Sequence, residues 1–289
     1  MLLVNDRSKE DNMAQPVTVN DQITDAAAPE AAVAQLSVGR FVWHDLVTPD
    51  IEKAQKYYAD LVGWTYKEFD MGPGGKYTMI HAGGTDWGGF MPLHPERGVP
   101  PHWISYVTVP DVDAAAAKAQ ELGGKVLVPG TDIPTVGRFA VIEGPTGGTI
   151  SPFKPETPGE MPAPAPAPGT FVWHELLAKD PQQDGKFFSE IFGWRIEETP
   201  MGQKATYYLF KRLDTGKDAG GLMQKPQGDP GPSSWLTYIQ VESADATAAR
   251  TTELGGKVHV PPTDIPNVGR FTVTSDPQGA YIAFLQPAM

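Results

Sequence analysis

The chain has 289 residues and no cysteine, and 35 acidic residues against 23 lysines and arginines give it a net charge of −12. The absence of cysteine excludes disulfides, thiolate metal sites and cysteine nucleophiles. The acidic balance argues against nucleic acids or anionic membranes as partners, because both attract basic surfaces. No apolar run approaches the length of a membrane span, and we expect a cytoplasmic protein.

Residues 1–38 have the composition of a disordered tail. They contain no aromatic residue and include an alanine-rich segment at residues 26–32, so they offer little apolar surface to bury. The short apolar start at residues 1–4 is not preceded by basic residues, which is untypical of a signal peptide.

A tandem repeat follows the tail. The segment FVWHDL at residues 41–46 returns as FVWHEL at residues 171–176. Further ordered matches pair Gly63-Trp64 with Gly193-Trp194, Tyr77 with Tyr207, Gly88-Gly89 with Gly220-Gly221, Tyr106 with Tyr238, and residues 136–139 with 268–271. The repeat predicts two domains, at residues 39–154 (copy one) and 170–289 (copy two).

Proline alternates with small residues between the copies. Residues 155–169 read PETPGEMPAPAPAPG, a pattern typical of an exposed polyproline spacer. Its reach permits the copies to pair within one chain or across a homodimer. We expect each copy to bury its own core, so that cutting the spacer would release two folded fragments.

Each copy is predicted to contain two strand–helix–three-strand units. In copy one, the first unit has strands at residues 41–48, 64–69, 77–81 and 89–92, with a helix from Asp50 to Val62 that Gly63 ends. The second has strands at residues 103–109, 125–128, 138–142 and 149–153, with a helix capped by Asp111 or Asp113. Trp64 and Trp194, at helix–strand corners, are predicted core anchors. The pattern predicts an α+β fold in which two units form a curved sheet around a cleft.

This layout resembles the vicinal oxygen chelate superfamily, which includes glyoxalases, bleomycin-resistance proteins and extradiol dioxygenases. The resemblance rests on Tyr57-Tyr58 before Gly63-Trp64, and on the closing motifs Gly269-Arg270-Phe271 and Asp276-Pro277-Gln278-Gly279. It covers both copies and implies their fold. It says little about the reaction, because one fold hosts many chemistries.

The superfamily's enzymes hold a divalent metal with side chains on the first and last strands of each unit. Counting from the helix-start and turn aspartates, this chain has at those positions Trp43, Ile104, Phe90, Ser151, Trp173, Leu236, Leu222 and Ala283. None is a typical donor such as imidazole or carboxylate. Both copies therefore depart from the family's metal pattern, and we expect no metal cofactor, with a divalent metal as the alternative.

His44 and His174 lie beside two of these positions. Strand side chains alternate between the two faces of a sheet, so His44 faces the helix if Trp43 faces the cleft. A shift of one residue in the strand register would reverse that assignment and make His44 a candidate ligand. His81, His94, His102 and His259 are dispersed, which is typical of surface or structural histidines.

The same alternation places Asp45 beside Trp43, and Glu175 beside Trp173. A carboxylate in an aromatic cleft can be an acid or base with a raised pKa, or a cation-binding group; alternatively it pairs with Arg138 or Arg270. Those arginines could instead hold an anionic ligand or pair with Asp132 and Asp264. Tyr106 and Tyr238 either line the cleft or pack it.

The favoured function is a small-molecule-binding protein without the family's metal site. The candidate ligand-binding residues are Trp43, Asp45, Tyr106, Arg138, Ser151, Trp173, Glu175, Tyr238 and Arg270, and no catalytic residue is assigned. The first alternative is a metal-dependent lyase or isomerase, or an extradiol-type dioxygenase. The second is a stress or interaction protein that uses the domains as scaffolds.

Overall fold

The computed structural model describes residues 36–71, 75–94, 96, 98–157, 166–201, 205–226 and 228–288. Copy one contains strands β1 (Phe41–Thr48), β2 (Thr65–Asp70), β3 (Lys76–Ala82), β4 (Thr85–Pro92), β5 (His102–Thr108), β6 (Lys125–Ile133), β7 (Gly137–Gly144) and β8 (Gly147–Pro155), and helices α1 (Ile51–Val62) and α2 (Val112–Glu121). Most of the predicted tail, and residues 158–165 of the predicted spacer, lie outside the described residues.

Copy two repeats this order. Its strands are β9 (Phe171–Ala178), β10 (Trp194–Met201), β11 (Ala205–Arg212), β12 (Asp218–Gln224), β13 (Ser234–Gln240), β14 (Lys257–Ile265), β15 (Gly269–Ser275) and β16 (Tyr281–Pro287). Its helices are α3 (Pro181–Phe192) and α4 (Ala244–Glu253). None of the helices in the described part of the chain is long and apolar enough to cross a membrane.

Each copy forms one eight-stranded sheet. The strand order in copy one is β2-β3-β4-β1-β5-β8-β7-β6, and copy two has the matching order β10-β11-β12-β9-β13-β16-β15-β14. The central strands β1 and β5 pair antiparallel and join the two strand–helix–three-strand units. The predicted α+β fold, with two such units in each copy, is confirmed.

Local sequence signals explain where the helices begin and end. The Asp50 carboxylate accepts a hydrogen bond from the Lys53 amide and caps α1, and Gly63 ends the helix in the left-handed conformation at φ 73°. Of the two candidate caps for α2, the structure selects Asp111, which accepts from the Ala114 amide at 2.9 Å.

The two faces of each sheet have different roles. Leu46 packs with the α1 residues Ala54 and Tyr58 on the helix face, whereas Trp43 and Val47 belong to a separate cluster without helix residues. We call this second surface the cleft face. The alternation predicted for β1 therefore holds, and Asp45 lies on the cleft face while His44 lies on the helix face.

The helix faces of the two copies pack against each other within one chain. One core combines copy-one residues with copy-two residues, namely Val107, Val112, Ala119, Ile142 and Ile150 with Leu176, Phe187, Phe188, Phe192 and Trp194. The second core combines Leu46, Tyr58, Trp64, Ile80 and Phe90 with Ile239, Val241, Ile282 and Phe284. The prediction that each copy buries its own core is wrong, because the apolar helix face of each copy is covered by the other copy.

Trp64 and Trp194 are buried in these cores, as predicted for corner tryptophans. Each also bonds, through its indole N–H, to the turn at the start of the other copy. Trp64 Nε1 donates to the carbonyl of Gly169 at 2.7 Å, and Trp194 Nε1 donates to the carbonyl of Gly39 at 2.8 Å. The turn that precedes each repeat is thus fixed to its partner repeat.

Candidate functional site

A hydrogen-bonded cluster occupies the cleft face of copy one. The Asp45 carboxylate is only 4% exposed and accepts a hydrogen bond from Tyr77 on one oxygen. Its other oxygen accepts from Tyr106 at 2.8 Å. Trp43 Nε1 in turn donates to the Tyr77 hydroxyl at 2.8 Å. We call Trp43, Asp45, Tyr77 and Tyr106 the copy-one cluster.

Copy two carries the equivalent arrangement with a longer acid. Trp173 Nε1 donates to the Tyr207 hydroxyl at 2.9 Å, and Tyr238 donates to Glu175 at 3.2 Å. Tyr207 also bonds to the Glu175 carboxylate, which is 8% exposed. These four residues are the copy-two cluster. Both copies therefore have the same hydrogen-bonded arrangement, with aspartate as the acid in copy one and the longer glutamate in copy two.

Burial dominates the electrostatics of both clusters. Loss of solvent raises the pKa of Asp45, while the hydrogen bonds from Tyr77 and Tyr106 oppose that shift by stabilising the ionised form. Burial likewise raises the pKa of Glu175. Burial and the adjacent carboxylate raise the pKa of Tyr77 and Tyr106 well above the ordinary value, so these phenols remain protonated donors.

Two glycines leave the space that the clusters need. Gly89 lies beside Asp45 in the pairing of β1 with β4, and a Cβ added at Gly89 would overlap the Tyr77 hydroxyl. A Cβ at Gly221 would overlap the Tyr207 hydroxyl in the same way. The second glycine of each pair in the repeat, Gly89 or Gly221, therefore has a direct structural role at its cluster.

Gly89→Ala is expected to displace the Tyr77 phenol and break its bond to Asp45. We expect a loss of about 1–3 kcal/mol in the free energy of unfolding, the usual cost of overpacking, measured by urea denaturation. The Trp43 indole N–H signal should also shift in an NMR spectrum, because its acceptor moves. Gly231→Ala is the control, since the nearest atom to an added Cβ there is a carboxylate oxygen of the exposed Asp229 side chain, at 3.1 Å. Equal stability losses in the two variants would contradict the packing role.

Ser151 is near the copy-one cluster without bonding to it. It lies on β8 opposite Tyr106, is fully buried, and donates to the carbonyl of Ala140 at 2.6 Å. Ala283 is its counterpart in copy two, where it is buried beside Tyr238. Ser151 therefore packs beside the copy-one cluster, and its hydroxyl is bonded to the backbone.

The arginines grouped with the ligand-binding residues lie elsewhere. Arg138 forms two hydrogen bonds with Asp113, at 3.0 and 2.9 Å, and a third with Asp132 at 2.8 Å. Its strand neighbour Phe139 contacts Tyr106 on the cleft face, so alternation turns Arg138 toward the opposite face and α2.

Arg270 repeats this arrangement in copy two. It bonds to Asp245 at 2.7 and 3.0 Å and to Asp264 at 2.8 Å. Assignment of Arg138 and Arg270 to the ligand sites is thus corrected: two carboxylates already engage each guanidinium, and they hold it away from the clusters. The ion pairs with Asp132 and Asp264 were the alternative considered from sequence.

His44 and His174 are buried on the helix faces, where the two copies meet. Their Nε2 atoms are 2.6 Å apart, and each ring stacks on a phenylalanine of the other copy, His44 on Phe171 and His174 on Phe41. The register that would turn them toward the clefts is not adopted. The other histidines are dispersed: His81 bonds to Asp86, His102 to the carbonyl of Pro100, and His259 to Ser275, while His94 lies near Glu96.

The donor set of the clefts does not fit the metal that the fold family implies. Both oxygens of Asp45 already accept tyrosine hydrogen bonds, and the neighbouring side chain of Ile104 is apolar. In the part of the chain that the structure describes, no three histidine, aspartate or glutamate side chains are grouped to hold an ion. A metal site needs about three such donors.

Tyr77 and Tyr207 are the functional residues that sequence reasoning missed. Both were visible as a matched pair of the repeat, but they lie on β3 and β11, whose partners were not predicted. In the structure β3 pairs with β4, and β4 pairs with β1. This order brings the Tyr77 hydroxyl to Asp45 across an intervening strand whose glycine lacks a side chain.

One relative of known sequence matches most of the chain, and another matches less than half of it. The chain is 37% identical over 250 residues to the protein named "Putative glyoxylase CFP32" of Mycobacterium tuberculosis, a match that covers 85% of this chain and 94% of that protein. It is 29% identical over 131 residues to the anthracycline biosynthesis protein DnrV of Streptomyces peucetius, covering 40% of this chain and 46% of DnrV.

Solved structures share the fold at low sequence identity. The Mn(II)-bound glyoxalase from Novosphingobium aromaticivorans is 15% identical with a TM-score of 0.58, and the match covers 87% of this chain and 82% of that one. The 2,3-dioxygenase LapB from Pseudomonas sp. KL28 is 15% identical with a TM-score of 0.56, covering 89% and 94%. The family model matches residues 38–151 and 170–284, and the chain therefore belongs to the Glyoxalase/Bleomycin resistance protein/Dioxygenase superfamily.

Proposed function

We propose that this protein binds small organic molecules in two clefts, one on each copy, without a metal ion at the family's usual position. The ligand is an apolar or aromatic molecule that lies against Trp43 in copy one and against Trp173 in copy two. The observation that carries the proposal is the cluster of tryptophan, tyrosines and buried carboxylate that recurs on both cleft faces.

The surroundings of the clusters support a binding role. Apolar side chains surround the copy-one cluster, namely Val42, Val47, Ile104, Phe139, Val141 and Phe153. The copy-two cluster has a similar surround of Val172, Leu177, Leu236, Phe271, Val273 and Leu285. Trp43 and Trp173 are only partly buried, so each presents a flat apolar surface to a ligand. Small-molecule sites typically combine such apolar walls with a few fixed polar groups.

The donor chemistry supports a site that works without the family's metal. A metal ion at Asp45 would find one carboxylate in the copy-one cluster, where about three protein donors are needed, and both oxygens of that carboxylate already accept tyrosine hydrogen bonds. The positions where the family's metal donors are expected hold Trp43, Trp173, Ser151 and otherwise apolar residues. These features favour binding over a reaction that depends on chelating two substrate oxygens.

Binding can be tested with 2-phenylethanol as a neutral aromatic probe. We expect this probe to shift the indole N–H signals of Trp43 and Trp173 in NMR spectra of the full chain. The signals of Trp64 and Trp194 serve as internal controls, because both residues are buried in the shared cores. Trp43→Ala combined with Trp173→Ala should weaken binding by at least about tenfold, or about 1.4 kcal/mol. Unchanged affinity in that double variant would remove the clefts as the binding site.

A further inference from the structure

Every side-chain hydrogen-bond donor of the copy-one cluster donates to another member of the cluster. The Trp43 N–H is donated to Tyr77, and the hydroxyls of Tyr77 and Tyr106 are both donated to Asp45. A tyrosine hydroxyl has one donor hydrogen but two acceptor lone pairs. What remains for a ligand is therefore a set of acceptors, on the two phenol oxygens and on the carboxylate.

The copy-two cluster has the same pattern of donors and acceptors. The Trp173 N–H is donated to Tyr207, and Tyr238 and Tyr207 both bond to Glu175. The neighbouring hydroxyl of Ser151 in copy one is likewise committed to a backbone carbonyl. A ligand that presents a carbonyl, carboxylate or phosphate would meet acceptors in either cleft and would find no donor within these groups.

The carboxylates also lack a counter-charge. The phenol hydrogen bonds to both oxygens of Asp45 stabilise its ionised form, whereas burial without a counter-charge raises its pKa. Within the described ranges, neither Asp45 nor Glu175 forms an ion pair, and the nearby candidates Arg138 and Arg270 are held by other carboxylates. A buried charge without a partner is costly, so a cation brought by a ligand would be favoured.

Aromatic rings surround each carboxylate. In copy one these are the indole of Trp43 and the phenol rings of Tyr77 and Tyr106, all joined to Asp45 by the hydrogen bonds described above. The partly exposed indole of Trp43 offers a ring face that can attract an organic cation, and a charged N–H group forms stronger hydrogen bonds with the phenol and carboxylate oxygens than a neutral one. The rings, the acceptors and the charge therefore favour the same chemical group.

We propose that both clefts select protonated organic amines, in which an ammonium N–H group on an apolar or aromatic body bonds to the phenol and carboxylate oxygens of each cluster. The proposal rests on the proposed binding function and narrows its ligand class. It also implies that the clefts discriminate against organic anions of the same size.

The test compares four phenyl probes on the full chain by isothermal titration calorimetry. They are 2-phenylethylammonium, its trimethylated ammonium analogue, 2-phenylethanol and 3-phenylpropionate. We expect 2-phenylethylammonium to bind at least about tenfold more tightly than 3-phenylpropionate. The trimethylated cation, which keeps the charge without an N–H, should lie between them, because it keeps only the attraction to the rings and to the acid.

Variants then assign the preference to the clusters. Asp45→Asn combined with Glu175→Gln should abolish the preference for 2-phenylethylammonium over 2-phenylethanol, because the amides remove the charge and add donors. Asp60→Asn combined with Glu52→Gln is the matched control with the same change in net charge, and both residues are exposed. That control should retain the preference. The single variants Asp45→Asn and Glu175→Gln show how much of the preference comes from each cleft.

The outcomes separate this proposal from the binding function on which it rests. Equal or tighter binding of 3-phenylpropionate in the unaltered chain would overturn the amine preference while leaving the clefts as binding sites. Retention of the preference in the double cluster variant would also overturn it. Failure of all four probes to bind would overturn both proposals and would favour the use of the domains as scaffolds. The probe series on the unaltered chain decides the matter even where a variant fails to fold.

Discussion

Neither copy is expected to fold when it is produced alone. A fragment of residues 36–157 would expose the half of each core that copy two covers, including Val107, Ile142 and Ile150. A fragment of residues 166–288 would expose Phe187, Phe188 and Phe192, which form much of the other half. We expect each fragment to lack a cooperative thermal transition, which corresponds to losing the whole free energy of unfolding of a typical domain, about 5–15 kcal/mol.

Cleavage of the connection between the copies provides the control. A protease site placed within residues 158–165 of the full chain should be cut without dissociation, because the two cores and the tryptophan contacts to Gly39 and Gly169 remain in place. The cut protein should elute as one species and unfold in one transition, and separately made fragments should regain structure when they are mixed. A cooperative transition in either isolated fragment, close to that of the intact chain, would contradict the shared cores.

The fold was predictable because the sequence contains the same pattern of strands and helices in two copies. The repeat identified two copies, and Asp50 and Gly63 marked the ends of α1 as observed. What covers the helix faces was not predictable. Periodicity separates the two faces of a strand, and it placed His44 on the face opposite Asp45. The surface that packs against that face, which includes Phe171 of copy two, is determined by docking of the two copies rather than by any local pattern.

The candidate site was predictable only in part, for a related reason. Alternation along β1 placed Trp43 and Asp45 together, and the matched spacing of Tyr106 and Tyr238 placed them on a cleft face. Tyr77 and Tyr207 required the strand order, which sequence spacing does not give. Arg138 and Arg270 were assigned to the ligand sites on charge alone. The assignment did not consider which face of β7 or β15 each side chain occupies, and both occupy the face opposite the cluster.

The histidine pair at the centre of the interface is expected to make the protein sensitive to acid. His44 Nδ1 lies 3.1 Å from the carbonyl of Trp87, which can only accept, so His44 donates there and its Nε2 is left as an acceptor. His174 Nε2 lies 2.6 Å from that atom and supplies the hydrogen. The contact therefore requires a neutral His44 with its hydrogen on Nδ1 and a His174 that carries a hydrogen on Nε2.

Protonation of either ring is opposed by its surroundings. Burial lowers the pKa of His44 to about 3. Burial, together with the charge that His44 would carry, lowers the pKa of His174 well below its ordinary value. In the unfolded chain both rings titrate near pH 6.5. The stability that the neutral pair contributes is fully present above that value and is lost as the pH falls, because the unfolded state then binds more protons than the folded one.

The expected loss is about 1.4 kcal/mol per pH unit for each histidine below about pH 6.5, and thus about 4 kcal/mol for the pair at pH 5. The measurement is the free energy of unfolding in urea between pH 7.5 and 5, for the wild type and for a variant that combines His44→Gln with His174→Gln. The amide side chains can replace the hydrogen bond but do not titrate, so the variant should lose most of this pH dependence even if it is less stable at neutral pH. His94→Gln is the matched control, since His94 is exposed and its loss should leave the slope unchanged. A slope that is the same in the wild type and in the double variant would show that another group is responsible, because changes at all other titrating groups are common to both proteins.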